Sequence, residues 1–326
     1  MSVAKVEIKR RKFGVLVDNA SLVALVLLSI FLGLANPRFF TLTNLSNILD
    51  LVSPLGITAL AMGFVLMAGS IDLSVEGVAG LSGIVTSFLV KNLVNQNNFG
   101  FSALLVALLV GLSCGVLNGV LLYRFRIPSF MVTLGVGFIT TGVGILLTRG
   151  NTIPITDWGF RQIGMGRIGP VPVAFLLTLG VFFVMWFLNG RTIFGRYVLA
   201  IGGDEAIARD LGINVNRTKI GIFGLAGALY GFAGAILTAK LGSGDINASL
   251  GLTFDSISSC VLGGIAITGG VGNAVKVLIG TFILTILRNG MILMGISPYV
   301  QQGVIGTILI FTVALTIDRK KIKIMK

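Results

Sequence analysis

Two carboxylates, Asp72 and Glu76, stand between strongly apolar stretches of the chain. Their spacing of four residues places them on one face if the segment is helical. Carboxylates at membrane depth are costly and generally face a cavity, an ionic partner or a pathway. Asp72 could instead cap a helix near Ser74, and both groups would simply be solvated in a surface turn. The segment therefore predicts a structural or gating role, with direct contact to a solute as the less favoured alternative.

Other polar side chains also fall within apolar stretches, among them Asn118, Arg288 and Asn289. Amides can hydrogen-bond a polyol, but they more often link neighbouring helices. Arg288 requires a carboxylate partner or access to water, and the sequence does not identify that partner. We take Asp72, Ser74, Glu76, Asn118 and Asn289 as candidates for a translocation pathway or gate.

The most informative polar segment runs from 189 to 219. Gly202 and Gly203 permit a turn, and Asp204 can cap a short helix that starts at Glu205 and ends near Leu211. Gly212 is suited to the C-cap and leaves the next residue, Ile213, exposed. A short capped helix of this kind has the form of a docking element, and the alternative is a loop that only orders itself.

Several kinds of chemistry are excluded or unsupported. The chain has no histidine, and Cys114 and Cys260 lack CxxC spacing, so we predict no catalytic residues, no metal site and no cofactor. No GxxxxGK[ST] phosphate loop occurs, so any use of ATP must come from a partner. The net charge of +13 is not concentrated with aromatic residues on one face, and nucleic acid is not an expected partner.

The composition indicates that the elements carrying these residues lie in a membrane. Of the 326 residues, 55% are apolar and only 11% are charged, and the mean hydropathy is +0.98. This is too little charge to cover a water-facing surface, so lipid must surround the chain. We predict an all-α, polytopic helical bundle that forms one transmembrane domain over residues 1–326.

The apolar runs predict about ten transmembrane helices. With the N-terminus inside, eighteen Lys and Arg residues fall on the cytoplasmic side and six on the other, as the positive-inside rule requires. Residues 1–19, 189–219 and 318–326 are then cytoplasmic. The runs lie at 20–35, 51–69, 73–90, 101–122, 128–148, 171–188, 220–240, 252–268, 275–294 and 300–317.

A weak internal repeat relates the two halves. The segments Gly69–Glu76 (GSIDLSVE) and Leu262–Gly272 (LGGIAITGGVG) share Gly, Ile and hydroxyl positions at a constant offset of 194 residues. Repeat-related broken helices often meet at a transporter's substrate path, whereas the simpler alternative is a tight loop between two spans. The repeat therefore leaves both interpretations open: two related halves with broken helices, or an ordinary tight loop in each half.

The segment GSIDLSVE resembles the GIDLSVG signature of the ribose-type permeases of ATP-binding cassette importers. Further segments of the chain resemble that family in the same order, over nearly its whole length. They are FFTLTNLSNIL (39–49), GVLNGVLL (115–122), IPSFMVTLG (127–135), FGRYVLAIGGDEAIARDLGINV (194–215) and RNGMILMGIS (288–297).

The resemblance implies a monosaccharide permease in the bacterial inner membrane. Its partners would be a cytoplasmic ATPase subunit, an external sugar-binding protein and a second permease copy or paralogue, all within membrane lipid. The segment 194–219 would carry the helix that couples to the ATPase, through Gly202, Asp204, Glu205, Ala206, Arg209, Gly212 and Ile213.

The chain departs from the family pattern at two places. Glu76 replaces the usual Gly, and Thr141 with Gly142 replaces a common Arg-Gly. Both departures weaken the transfer of a particular sugar to this chain. The alternatives are a permease for branched-chain amino acids or nucleosides, and an ion-coupled transporter that works alone through Asp72 and Glu76.

Overall fold

The computed structural model describes residues 20–316, so the predicted cytoplasmic tails 1–19 and 318–326 lie outside the described residues. The described part contains thirteen α-helices, which we number in chain order. They are α1 (Ala20–Ala35), α2 (Leu42–Met67), α3 (Val75–Leu89), α4 (Ala103–Phe125), α5 (Ser129–Thr148), α6 (Trp158–Met165), α7 (Val173–Arg191), α8 (Ile193–Gly203), α9 (Glu205–Asp210), α10 (Val215–Leu241), α11 (Leu252–Gly263), α12 (Ala274–Leu293) and α13 (Pro298–Thr316).

The structure confirms an all-α membrane protein. Each of the ten predicted apolar runs falls on a helix, and three short helices, α6, α8 and α9, lie between them. Six helices are long and apolar enough to cross a membrane: α2, α4 with the 3₁₀ turn before it (Gly100–Phe125), α5, α7, α10 and α12. The structure thus supports six spans by length and composition, and the predicted count of ten is not confirmed.

The only strands in the described residues are two-residue pairs beside the loops. β1 (Ile153–Pro154) pairs antiparallel with β4 (Ser243–Gly244), and β2 (Arg167–Ile168) pairs antiparallel with β3 (Val171–Pro172). A 3₁₀ turn at Ile246–Ser249 then leads into α11. These short elements fix the connections around α6 and before α11.

Helix α2 forms the centre of the bundle, because nearly all of its side chains from Val52 to Met67 are buried. Helices α4 and α10 cross so closely that a methyl group on Gly111 would collide with the carbonyl oxygen of Gly227, and the reverse also holds. Small residues permit this approach in lipid, where no hydrophobic force drives helices together. The spaced glycines of these two helices therefore serve close helix packing at this crossing.

Both predicted breaks in the helical pattern are present. The first, residues 68–74, separates α2 from α3, and its residues Ser70–Ser74 have no regular structure. The second, residues 264–273, separates α11 from α12 and contains three glycines with positive φ beyond the αL residue Gly264. The breaks lie at corresponding places in the two halves, between the end of one apolar helix and the start of the next.

Candidate functional site

The first break is buried inside the bundle. The Asp72 carboxylate oxygen Oδ1 accepts hydrogen bonds from the Ser74 amide (2.8 Å) and the Ser74 hydroxyl (2.6 Å). The Asn118 amide Nδ2 on α4 donates to the same hydroxyl (2.9 Å). All three side chains are fully buried, which excludes a solvated surface turn. Asp72 thus bonds Ser74, the residue just before α3, but no side chain makes a capping hydrogen bond to the first turn of that helix.

Two oxygens of this buried hydrogen-bond network, Asp72 Oδ2 and Asn118 Oδ1, have no hydrogen-bond partner among the described residues. The break is also tied to α5, because the Leu73 amide donates to the Thr133 hydroxyl (2.9 Å). The Asp72, Ser74 and Asn118 side chains therefore connect the break with α4, and their burial fits a structural or gating role.

Glu76 lies apart from this network, at the start of α3. Its carboxylate oxygen Oε1 accepts hydrogen bonds from the Gly251 amide (3.1 Å) and the Thr253 amide (3.3 Å) at the N-terminus of α11. Gly251, the N-cap residue, has no side chain to perform this function. A carboxylate from another helix therefore caps α11 and matches the positive end of its dipole.

Arg288 on α12 has a carboxylate partner that the sequence did not identify. Its Nη1 and Nη2 atoms donate to the two Asp255 oxygens on α11, at 2.8 and 2.9 Å. The side chains are 32% and 15% exposed, respectively. This bidentate pair joins the first turn of α11 to the second half of α12.

Two cavities adjoin that turn. One of about 150 Å³ is bounded by Glu76, Gly77 and neighbouring residues of α5, including Thr141, and by Thr253 and Phe254. The other, of about 580 Å³, is bounded by Phe254, Asp255, Arg288 and residues of α13. The two departures from the family pattern, Glu76 and Thr141, thus face the same cavity.

Asn289, the last pathway candidate, lies elsewhere. Its amide exchanges two hydrogen bonds with Asn44 of α2, at 3.0 and 2.9 Å, and is almost fully buried. This pairing is an interhelical link between α2 and α12. The structure therefore does not bring Asn289 together with Glu76 or Asp72 in one site.

A second region joins the polar segment 189–219 to the two helix breaks. The Gly270 amide donates to the Met67 carbonyl (2.9 Å), which links the second break to the end of α2. Gly202 on α8 lies against both, because a methyl group there would collide with the Met67 carbonyl oxygen and the Gly270 nitrogen. We call Met67, Gly69, Gly202, Gly269 and Gly270 the glycine junction.

The short helix α9 has the predicted caps. Asp204 Oδ1 accepts hydrogen bonds from the Ala206 amide (2.9 Å) and the Ile207 amide (3.0 Å). Gly212 takes a φ of +83°, and its amide donates to the Arg209 carbonyl (2.9 Å). The prediction that Ile213 is exposed was wrong: it is half-buried against Ile201, Ala208 and Val215, because the capped turn folds it back onto α8 and α10.

Glu205 ties α9 to α10. Its carboxylate accepts hydrogen bonds from Arg209 Nη2 (3.0 Å) and Lys219 Nζ (2.6 Å). Partial burial raises the pKa of this carboxyl, but the Lys219 and Arg209 charges outweigh the burial and hold the pKa below its ordinary value. The segment 189–219 is thus mostly helical, with α8 and α9 fixed to the bundle.

Sequence reasoning missed the residues that complete these two regions. Opposite charges in separate apolar helices were a signal for the Asp255–Arg288 pair, but Phe254 and Met67 carry no such signal. No group of three or more potential metal ligands occurs within residues 20–316. The side chains described above cap helices and pair charges.

A membrane bundle with paired helix breaks and a capped helix outside the apolar spans has the features of a transport permease. The chain matches, over residues 44–313, the family described as branched-chain amino acid transport system, permease component. It belongs to this family. The protein is therefore a multi-pass inner-membrane transport component and not an enzyme.

Curated relatives match along nearly their whole length. The chain is 36% identical to the ribose import permease protein RbsC of Escherichia coli K12, over 94% of this chain and 95% of the relative. It is 35% identical to RbsC of Bacillus subtilis (97% of each chain) and 34% identical to the L-arabinose permease protein AraH of Azospirillum brasilense (90% and 86%). No solved structure matches the chain.

Proposed function

We propose that the chain is the membrane-spanning subunit of an ATP-binding cassette importer that moves a monosaccharide by alternating access. The observation that carries the proposal is the end-to-end similarity to permeases named for ribose and arabinose. Neutral polar side chains, such as Thr141 and Gln302, also line the cavities beside α11, which agrees with an uncharged polar substrate. Because ribose and arabinose are pentoses, a pentose is the first sugar to test.

The proposed topology has ten spans and places both termini in the cytoplasm. It is supported by the helix found at each apolar run and by the excess of basic residues on the inner side. Helices α1, α3 and α11 are then short spans, with lengths of 16, 15 and 12 residues. The short lengths of α3 and α11 follow from the breaks next to them.

The proposed partners are a cytoplasmic ATPase, an external sugar-binding protein, a second permease copy or paralogue, and lipid. We place the ATPase at α9 and its caps. The exposure of Asp204, Ala206 and Arg209 supports this position, because all three are available to a partner. The proposed contact set is Gly202, Asp204, Glu205, Ala206, Arg209, Gly212 and Ile213.

The glycine junction supplies a physical connection for this mechanism. Movement of α8 and α9 would press directly on the end of α2 and on the second break, because the backbone at Gly202 lies in close contact with Met67 and Gly270. The proposed pathway or gate set remains Asp72, Ser74, Glu76, Asn118 and Asn289. Among these, the contact with a cavity favours Glu76 for a position on the pathway itself.

The function is tested in liposomes that contain the chain with its ATPase and binding protein. Pentoses, hexoses, nucleosides and leucine are supplied in turn, and substrate-stimulated ATP hydrolysis and uptake are measured. We expect stimulation by a sugar only. Stimulation by leucine or a nucleoside alone, or uptake by the purified chain under a proton or sodium gradient without ATPase, would contradict the proposal.

A further inference from the structure

A third cavity, of about 630 Å³, lies where the end of α4 meets the short helix α9 and the start of α10. A volume of this size is usual for small-molecule sites, which span roughly 300–1,000 Å³. The topology proposed above places this cavity at the cytoplasmic surface of the membrane. Its lining combines three basic side chains with apolar residues from the end of α4 and the link to α5.

The charges that line this cavity do not balance. Both cations on the α9–α10 side share one carboxylate: Arg209 Nη2 donates to one Glu205 oxygen (3.0 Å), and Lys219 Nζ donates to the other (2.6 Å). Arg126 is the third cation in the lining. One negative charge therefore faces three positive ones, which leaves a formal charge of +2 and favours an anionic occupant.

Arg126 has no partner of its own. Its side chain is exposed and makes no hydrogen bond or ion pair to any residue within 20–316. All five of its N–H donors are therefore available, and a guanidinium can grip two oxygens of a phosphate at once. A cation also suits the C-terminal end of a helix, but Arg124 in the last turn of α4 already supplies one and does not line the cavity.

The apolar part of the lining continues onto a surface that suits hydrocarbon. Tyr123 and Ile127 line the cavity and are 50% and 40% exposed. A soluble anion would use only the basic part of such a cavity. An amphiphile with a charged head among the cations and its hydrocarbon against the helices would use both parts. Helices α4 and α5 expose further large apolar side chains near these ends, among them Val120, Met131 and Leu134.

We propose that this cavity binds the phosphate group of an anionic phospholipid from the inner leaflet. Arg126 donates to the phosphate oxygens, Lys219 and Arg209 contribute N–H donors that Glu205 leaves free, and the acyl chains lie along α4 and α5. A bound lipid thereby joins the proposed docking helix α9 to the end of α4. The inference uses the proposed topology to assign the leaflet and is independent of sugar import, so either can fail without the other.

The first test measures lipid binding by the purified full chain in a neutral detergent. Thermal unfolding is followed while short-chain phosphatidylglycerol is added, and phosphatidylcholine, which has no net charge, is the comparison. We expect phosphatidylglycerol alone to raise the unfolding midpoint in a saturable way. Arg126→Gln should raise the half-saturating concentration about three- to tenfold, as the loss of a charge-assisted contact predicts, and Arg126→Lys should recover part of the loss.

Arg124→Gln is the matched control, because it removes the same charge from the same helix end but not from the cavity. It should change the half-saturating concentration less than about twofold, since exposed charges are screened. Equal effects of Arg124→Gln and Arg126→Gln would show that only the net charge of the chain attracts the lipid. Inorganic phosphate that stabilises the chain through Arg126 as strongly as the lipid, at matched ionic strength, would assign the cavity to a free anion. Either result would overturn the proposal.

Fluorescence quenching provides a second measurement that reports position. Tyr123→Trp places a fluorophore in the lining, and the unsubstituted chain, with Trp158 and Trp186, gives the background. In nanodiscs, brominated phosphatidylglycerol should quench the new tryptophan more than brominated phosphatidylcholine at the same mole fraction, and adding Arg126→Gln should remove the difference. Equal quenching by the two lipids would contradict the proposal. So would an Arg126→Gln variant that binds the ATPase subunit less tightly but the lipid normally, because the cavity would then hold an acidic side chain of that partner.

Discussion

The glycine junction and the first turn of α11 are assembled from different parts of the chain. At the junction, backbone touches backbone: the Gly270 amide bonds the Met67 carbonyl, and Gly202 lies against both. At the α11 turn, side chains from α3 and α12 reach across to cap the helix and pair its charge. The junction tolerates almost no side chain, whereas the turn can change its chemistry residue by residue.

This difference fits a division of labour within a permease. When backbone atoms are in close contact, a displacement of one segment moves the other, because a close-packed interface has no free space between them. Contacts made by side chains can be altered by single substitutions. The departure from the family pattern at Glu76 lies in the second region, and α9, the proposed docking helix, follows directly from the first.

The largest effect is expected at Gly202. In Gly202→Ala the new methyl group would collide with the Met67 carbonyl oxygen and lie 2.5 Å from the Gly270 nitrogen. Overpacking of this kind costs about 1–3 kcal/mol, and we expect import to fall at least about tenfold as the junction is forced apart. Uptake in liposomes and thermal unfolding in detergent measure the two effects.

The matched control is Gly203→Ala. A methyl group at Gly203 has no heavy atom within 4 Å, so stability should change by less than about 0.5 kcal/mol and import should be normal. Equal losses in the two variants would show that helix C-terminal geometry, and not the contact with the breaks, makes Gly202 necessary.

A smaller effect is expected at the Asp255–Arg288 pair. Asp255→Asn or Arg288→Met leaves one largely buried charge without its partner, and we expect each to cost about 1–3 kcal/mol. The double variant should be less destabilised than the sum of the two. A double-mutant cycle on the unfolding midpoint in detergent measures this coupling, and strict additivity would show that the pair contributes nothing.

Loss of the cap on α11 is expected to cost less again. Glu76→Ala removes the acceptor for the Gly251 and Thr253 amides and should destabilise the chain by about 0.5–2 kcal/mol. Glu76→Gln keeps an oxygen acceptor and should recover most of that loss in the same unfolding assay. Equal destabilisation by both variants would indicate that the negative charge, rather than the hydrogen bonds, stabilises the helix end.

The smallest effect is expected at Glu205, whose side chain is 43% exposed. Glu205→Gln should cost less than about 1 kcal/mol, because exposed ion pairs are screened. Since the folded-state pKa is lowered, the contribution of Glu205 is present at neutral pH and is lost as the pH falls through that pKa.

Unfolding midpoints measured from neutral pH down to about pH 3 test this sign, a range that spans the ordinary Glu pKa of about 4.3. The wild type should lose more stability than Glu205→Gln on acidification, and Lys219→Met should reduce the difference. A wild-type advantage that grows as the pH falls would contradict the assigned direction of the pKa shift.

The sequence predicted the helical elements well, because their signal is local. A run of apolar residues with few charges is expected to form a helix within the membrane, and each of the ten runs fell on a helix. The caps of α9 at Asp204 and Gly212 were predicted for the same reason, since a cap involves residues two to four positions apart. Ile213 was assigned wrongly because its burial depends on α8 and α10.

Function was predicted from the order of motifs along the chain, and the full-length relatives confirm the family. The contacts within the candidate sites were less accessible. Asp72 and Glu76 are four residues apart, yet Asp72 joins a buried network with α4 while Glu76 caps α11, because the helix begins between them at Val75. Spacing alone could not separate these roles.

The sequence by itself determined that the chain lies in a membrane, that its elements are helices, and to which family it belongs. Each depends on composition or on short patterns that read the same in any fold. The tertiary structure decided which distant residues meet: Glu76 with Gly251, Asp255 with Arg288, and Gly202 with both helix breaks. Those encounters depend on how the helices cross, and crossing is set by the packing of many side chains at once.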